Sequence, residues 1–192
     1  MRSGTFGICA VTFCAALSVG DTARVAADEK EDYSKLLQAL PKSKHTLAEG
    51  IKHAGAKAPE SVISAKFELE DGKLSLSVYT AEKGLETDAE HNVLKELAGS
   101  PEAAEWKPEV EVFKDIAHVS RASQQLTIMS GARYSLLDIL EKVEKDQPGT
   151  VFSITPILRD KKAEVVVLVA ADGKVVELRY DPMSSIRMKT KK

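Results

Sequence analysis

Cysteine is nearly missing from this chain. Its 192 residues hold two, Cys9 and Cys14, and both lie within the first 27. If that stretch is removed as a leader, no disulfide, no thiolate nucleophile and no cysteine metal site remains. Long apolar runs are also missing. The longest, Phe6–Val19, is interrupted by Gly7, Thr12 and Ser18 and is shorter than the roughly 20 apolar residues that a membrane-spanning helix needs. Neither sign of charge is in large excess, with a formal net charge of −2, which excludes a nucleic-acid binder working by bulk charge. The sequence has no glycine-rich phosphate loop, no Gly-x-Ser-x-Gly turn and no His-Glu-x-x-His frame, so the common hydrolase and nucleotide-binding signatures do not apply.

The N-terminus reads as an export signal. Arg2 is a minimal basic region, Phe6–Val19 the apolar core, and Val25-Ala26-Ala27 a run of small residues before the charged Asp28-Glu29-Lys30. Cleavage after Ala27 is preferred and cleavage after Gly20 competes. Lipidation at Cys9 or Cys14 is disfavoured, because Ile8 and Phe13 stand where such a signal places Gly or Ala. Loss of residues 1–27 removes Arg2, Arg24 and Asp21, so 27 basic and 29 acidic side chains become 25 and 28, a formal −3. The expected location is therefore exported, periplasmic or extracellular, with no membrane span.

Within the remainder one stretch occurs twice. Thr46–Tyr79 aligns without a gap on Ser135–Leu168, at an offset of 89 residues. The helix starts match (Thr46-Leu47-Ala48-Glu49 on Ser135-Leu136-Leu137-Asp138), as do the apolar stripe (Leu47, Ile51, Ala54 on Leu136, Leu140, Val143) and the breaker (Pro59 on Pro148). Asp71 falls on Asp160 and Lys73 on Lys162. Thr46 with Glu49 forms a capping box. Ile63, Ala65, Phe67 and Leu69 alternate with polar residues, the signature of a strand with one buried face. Glu70-Asp71-Gly72-Lys73 supplies a tight turn back into a second strand.

The implied fold class is α+β, as two tandem helix-plus-antiparallel-sheet units with a helix on one face of each sheet. The expected divisions are a signal peptide (1–27), a flexible N-terminal segment (28–43) and a first unit (44–114) with a helical insertion (81–108). A connecting helix (115–133), a second unit (134–183) and a basic tail (184–192) follow. In the insertion, Thr87-Asp88-Ala89-Glu90 reads as another capping box, with Ala89, Val93 and Leu97 along one helical face. Val110 and Val112 predict a third strand for the first sheet. Ile116, Val119, Ser123 and Leu126 predict the inner face of the connecting helix. Pro156 predicts that Thr150–Leu158 is an edge strand, open to strand addition by an extended peptide. The apolar run Ala163–Val169 predicts burial on both faces.

A helix opened by Thr/Ser-Leu, a proline, a strand, a hairpin and a closing Asp172-Gly173-Lys174-Val175-Val176-Glu177-Leu178 together resemble the PepSY domain family. The resemblance is fullest over Ser135–Pro182. It is weaker over Thr46–Phe113, where Ala81–Pro108 separates the second strand from the third. That resemblance implies a non-catalytic module acting on another protein, such as a peptidase inhibitor or modulator, with no cofactor. No peptidase domain follows in this sequence, which sets aside a propeptide role within the same chain.

Charge along the chain suggests where such a partner would dock. Between Glu82 and Asp115 ten acidic side chains stand against four lysines, a formal −6. Within it lies the only tryptophan, Trp106. Trp106, Glu102, Glu105, Glu109 and Glu111 are accordingly the candidate partner-binding residues, read against the alternatives of a core tryptophan and a solvated acidic surface. The pairs Glu68/Glu70 and Glu109/Glu111 read as solvated strand charges rather than as an acid–base pair. A second reading is an envelope protein that binds a metal ion or small ligand through the first-half histidines, His45, His53, His91 and His118.

Overall fold

The computed structural model of the chain describes residues 33–57 and 60–188. The expected signal peptide with its two cysteines and both candidate cleavage sites, Pro59 and the last four residues of the expected basic tail lie outside the described residues. Within them, four helices accompany one antiparallel sheet. Residues 33–39 are helical (α1) and run into a 3-10 turn, Leu40–Lys42; α2 spans Leu47–Ala54, α3 Ile116–Ser130 and α4 Leu136–Asp146. The strands are β1 (Ser61–Glu70), β2 (Lys73–Ala81), β3 (Leu94–Gly99), β4 (Glu109–Val112), β5 (Thr150–Arg159), β6 (Lys162–Ala171) and β7 (Lys174–Tyr180).

The capping box expected at Thr46 forms, and the matching helix start at Ser135 forms one as well. Thr46 Oγ1 accepts from the Glu49 amide at 3.1 Å while Glu49 accepts from the Thr46 amide at 2.7 Å. Ser135 and Asp138 repeat the exchange at 3.1 and 2.8 Å. Each such cap satisfies amides that a helix start leaves unpaired, at about 1 kcal/mol. The apolar stripes follow: Leu47, Ile51 and Ala54 of α2 and Leu136, Ile139, Leu140 and Val143 of α4 are buried. Three hairpins turn through two consecutive residues of positive φ: Asp71-Gly72 (49° and 75°), Asp160-Lys161 (50° and 63°) and Asp172-Gly173 (51° and 71°). That geometry matches the twist of the flanking strands.

The strands do not form two sheets. They form a single seven-stranded sheet in the order β4-β3-β2-β1-β5-β6-β7, because β1 and β5 pair antiparallel at Ala65↔Ile154 and Lys66↔Ser153. Ala65 and Ile154, which the 89-residue offset matches, thus face each other at the middle. The offset recurs in the irregularities: β1 shifts register between Val62 and Ser64, and β5 between Val151 and Ser153. The extra residues, Ile63 and Phe152, are 0% and 1% exposed. Ile63 is packed with Ala122 and Leu126 of α3, and the ring of Phe152 meets that of Tyr33 edge-on at 5.9 Å.

Alternation along the strands divides the core between two faces. One face, with Ala65, Phe67, Leu76, Val78, Val165 and Val167, carries α2 and α4. The other, with Ile63, Tyr79, Ala81 and Leu94, carries α3 at one end.

Several expectations are corrected. Thr150–Leu158 is not an edge: β5 has neighbours on both sides. β1 and β5 share only two register positions, and Pro156 lies beyond them, where a missing amide breaks no ladder to β1. The expected helix in 81–108 is replaced by turns followed by β3. Asp88, rather than Thr87, takes the neighbouring amides, accepting from Glu90 at 2.9 Å and His91 at 3.1 Å. Asn92 closes the loop on the Lys83 amide and on the Gly84 and Thr87 carbonyls.

The strand at 109–112 is consequently the fourth on its side and pairs with β3. α3 forms where expected and buries Leu126 as expected, but its inner face is completed by Ala122, Gln125 and Met129, while Ile116 (89%) and Val119 are exposed, since the first turn projects beyond the packed core. β6 buries Val165, Val167 and Val169, and its alternate residues Val166 and Leu168 are only half-buried. The described part of 28–43 is helical, with Leu36 and Leu40 in the core. Arg187, in the expected basic tail, bridges to Tyr180.

Candidate functional site

The four strands on the β4 side place a set of carboxylates on the face opposite α2 and α4. In register across them run Tyr79, Glu96 and Glu111, and next to these Ser77, Ala98 and Glu109. Glu68 and Glu70 of β1 lie on the same face, two residues apart, and Glu68 is two residues from Lys66. Carboxylate oxygens of Glu68, Glu70 and Glu96 come within 4.8 Å of one another. A groove of about 740 Å³ runs from the first hairpin to β4, past Glu70, Asp71, Glu96, Glu109 and Glu111, with Lys73 and Lys107 at its sides.

The electrostatics of the groove are unbalanced. Lys66 is ion-paired to Glu68 and lies 5.7 Å from the centroid of the Tyr79 ring. Burial works against the Lys66 charge, yet Glu68 and its other anionic neighbours hold its pKa above the usual lysine value. Burial pushes the Glu96 carboxyl above the ordinary carboxylate range, and the neighbouring Glu68 and Glu70 push it the same way; the Ser77 hydroxyl and Lys66 oppose them. Burial likewise raises the Tyr79 phenol. Glu70, Asp71, Glu109 and Glu111 form no ion pair among the described residues. Such a surface attracts cations, whether ions or the ammonium and guanidinium groups of another chain.

The sequence-based candidates divide. Glu109 and Glu111 line the groove. Glu102 is exposed on the 100–108 loop, and Glu105 is paired with Lys107 at 3.0 Å; neither lines the groove. Trp106 is corrected from an interface anchor to a core residue. It is 4% exposed, its indole donates to the Gly99 carbonyl at 3.3 Å, and its ring meets His53 edge-on at 5.2 Å. The loop lies back on α2, fixed by the Lys44 amide on the Pro101 carbonyl at 2.8 Å. Glu68, Glu70, Asp71 and Glu96 were not among the sequence candidates. Reading 94–99 as a strand in register with β2 would have set Glu96 beside Tyr79.

The four histidines do not gather at one place, although His45 and His53 line one pocket with Glu49 and Glu105. His45 contacts the Ala103 carbonyl at 3.0 Å, His53 lies on Trp106, His91 binds Asp88 at 3.0 Å, and His118 binds Asp115 at 2.6 Å while stacking on Phe113. Among the described residues, the one cluster of potential metal ligands that includes a histidine, Asp88, Glu90 and His91, is exposed and contains a single one. No helix among the described residues is long and apolar enough to cross a membrane.

No family model matches the chain, and no curated protein matches it. A solved structure titled a "putative lipoprotein" from Clostridium difficile 630 aligns over 88% of each chain at 10% identity and a TM-score of 0.36.

Proposed function

We propose that this chain is an exported, non-catalytic protein-binding module of two PepSY-like units, whose acidic groove receives a basic segment of another protein. Peptidases are the first partner class to test, because the PepSY resemblance over Ser135–Pro182 implies an inhibitor or modulator. One observation carries the reading: Glu70, Asp71, Glu109 and Glu111 converge on one groove without a compensating ion pair among the described residues. Unpaired carboxylates gathered in a concavity raise the local concentration of cations and steer basic partners.

The test is capture of binding proteins from an envelope and secreted extract at low salt, comparing the natural chain with a Glu109→Lys/Glu111→Lys variant. A specific partner retained by the natural chain and lost by the variant supports the reading. Equal recovery by both chains would remove the groove from it.

A further inference from the structure

The two outer strands of the sheet are finished differently. The end of β7 is covered by the chain's own following segment: the Asp181 amide donates to the Ile186 carbonyl at 3.1 Å, the Met188 amide donates to the Arg179 carbonyl at 2.7 Å, and Tyr180 bridges to Arg187. β4 has no such cover among the described residues. All four of its residues are exposed, with Val110 at 59% and Val112 at 43%.

The direction of its free backbone groups follows from the ladder with β3. The Phe113 amide donates to the Leu94 carbonyl at 3.0 Å, and the register continues as Val112↔Lys95, Glu111↔Glu96, Val110↔Leu97 and Glu109↔Ala98. Hydrogen-bonded and non-bonded pairs alternate along an antiparallel ladder. Glu111 and Glu109 therefore bond to β3, and the amide and carbonyl of Val110 and Val112 turn outward. The side chains alternate in step: both valines lie on one face and both glutamates on the groove face.

Resting on the proposed protein-binding role, we infer that β4 receives the partner as an added antiparallel strand, and that the segment it takes alternates basic and apolar residues. Backbone groups of the incoming strand pair with those of Val110 and Val112. Its basic side chains stand opposite Glu109 and Glu111 along the groove, and its apolar side chains cover the two valines. A second copy of this chain adding β4 to β4 would set Glu109 and Glu111 against their own counterparts, and like charges directly opposite are unfavourable. The glutamates that guard this edge against self-association thus select for a basic segment.

The experiment uses the peptide acetyl-Lys-Val-Lys-Val-Lys-Val-amide with the 15N-labelled chain, followed by chemical-shift titration and amide hydrogen exchange. The expected result is binding, at least tenfold slower exchange of the Val110 and Val112 amides in the complex, and at least tenfold weaker binding to Val112→Pro. Proline there removes an amide that β3 does not use. Val110→Pro serves the same purpose if Val112→Pro does not fold, and the exchange measurement needs neither variant.

Binding that leaves both amides unprotected and survives the proline substitution overturns strand addition; if Glu109→Lys/Glu111→Lys still abolishes it, the protein-binding reading stands. Equal binding of the Glu-Val counterpart peptide, absence of peptide binding, or self-association of the chain through β4 in sedimentation also overturns the inference. The capture of a partner by the acidic groove is decided separately.

Discussion

Ala65 and Ile154 stand 89 residues apart in the sequence and directly opposite each other in the sheet, both 0% exposed. Two positions matched by the internal alignment can pair antiparallel with each other only where a local twofold relation passes between them. On either side of that point lie the two register shifts, the Asp71 and Asp160 turns, and α2 and α4. The 89-residue offset therefore bears on stability, because neither half of the core closes without the other.

Ile154→Ala follows most directly. It deletes buried side-chain volume at the meeting of the two halves and is expected to cost about 2–5 kcal/mol. Chemical denaturation followed by circular dichroism should show one transition, moved to lower denaturant and still single. Two separate transitions would mean that the halves unfold independently.

The hairpins give a reciprocal prediction. Gly72 and Lys161 occupy matching turn positions at φ 75° and 63°, and a Cβ added at Gly72 would meet nothing within 4 Å. Backbone conformation alone then sets the outcome. Lys161→Gly should stabilise the chain by about 0.5–1 kcal/mol and Gly72→Lys should destabilise it by about 1 kcal/mol, read as opposite shifts in Tm.

Trp106 supplies a third test. Because its indole is enclosed by the 100–108 loop and α2, its emission should be blue-shifted and poorly quenched by iodide. Trp106→Ala should cost about 3–5 kcal/mol. Free quenching together with an unchanged Tm would return this residue to the surface.

Glu96 links stability to pH within the groove. Its folded pKa is raised above the ordinary 4.5, so deprotonation favours the unfolded chain, and the groove charge weakens the fold at neutral pH. The penalty is present above the raised folded pKa, is relieved as pH falls through it, and is gone below the ordinary value. Glu96→Gln should therefore be more stable than the natural chain at pH 7, with the difference vanishing by about pH 4. Denaturation midpoints across pH 4–8 measure this directly, and a constant difference would refute it.

Much of the fold was legible because its signals are local. Thr46 and Glu49, Ser135 and Asp138, and Asp71-Gly72 act within a few residues, and the structure forms each as read. The pairing of β1 with β5 depends on residues 89 apart and leaves no local mark. Pro156 reports only an amide that does not donate, a condition that a splayed central strand meets as well as an edge. Ala89, Val93 and Leu97 repeat every fourth residue, which suits a helix, yet Asp88 and Asn92 compete for the same backbone amides and end the segment in turns. Misreading that segment hid the groove, since Glu96 lies beside Tyr79 and Glu111 only once 94–99 is a strand. Glu109 and Glu111 were legible as candidates because they belong to the acidic stretch between Glu82 and Asp115, and their alternation with Val110 and Val112 marks the strand that carries them.

The central claim, that the acidic groove of β1–β4 is the protein-binding surface, is tested most directly by zero-length carbodiimide coupling of the captured complex, mapped by mass spectrometry. The account predicts cross-links from Glu70, Glu96, Glu109 or Glu111 to lysines of the partner. Cross-links confined to carboxylates of α2, α4 or β7 would contradict it.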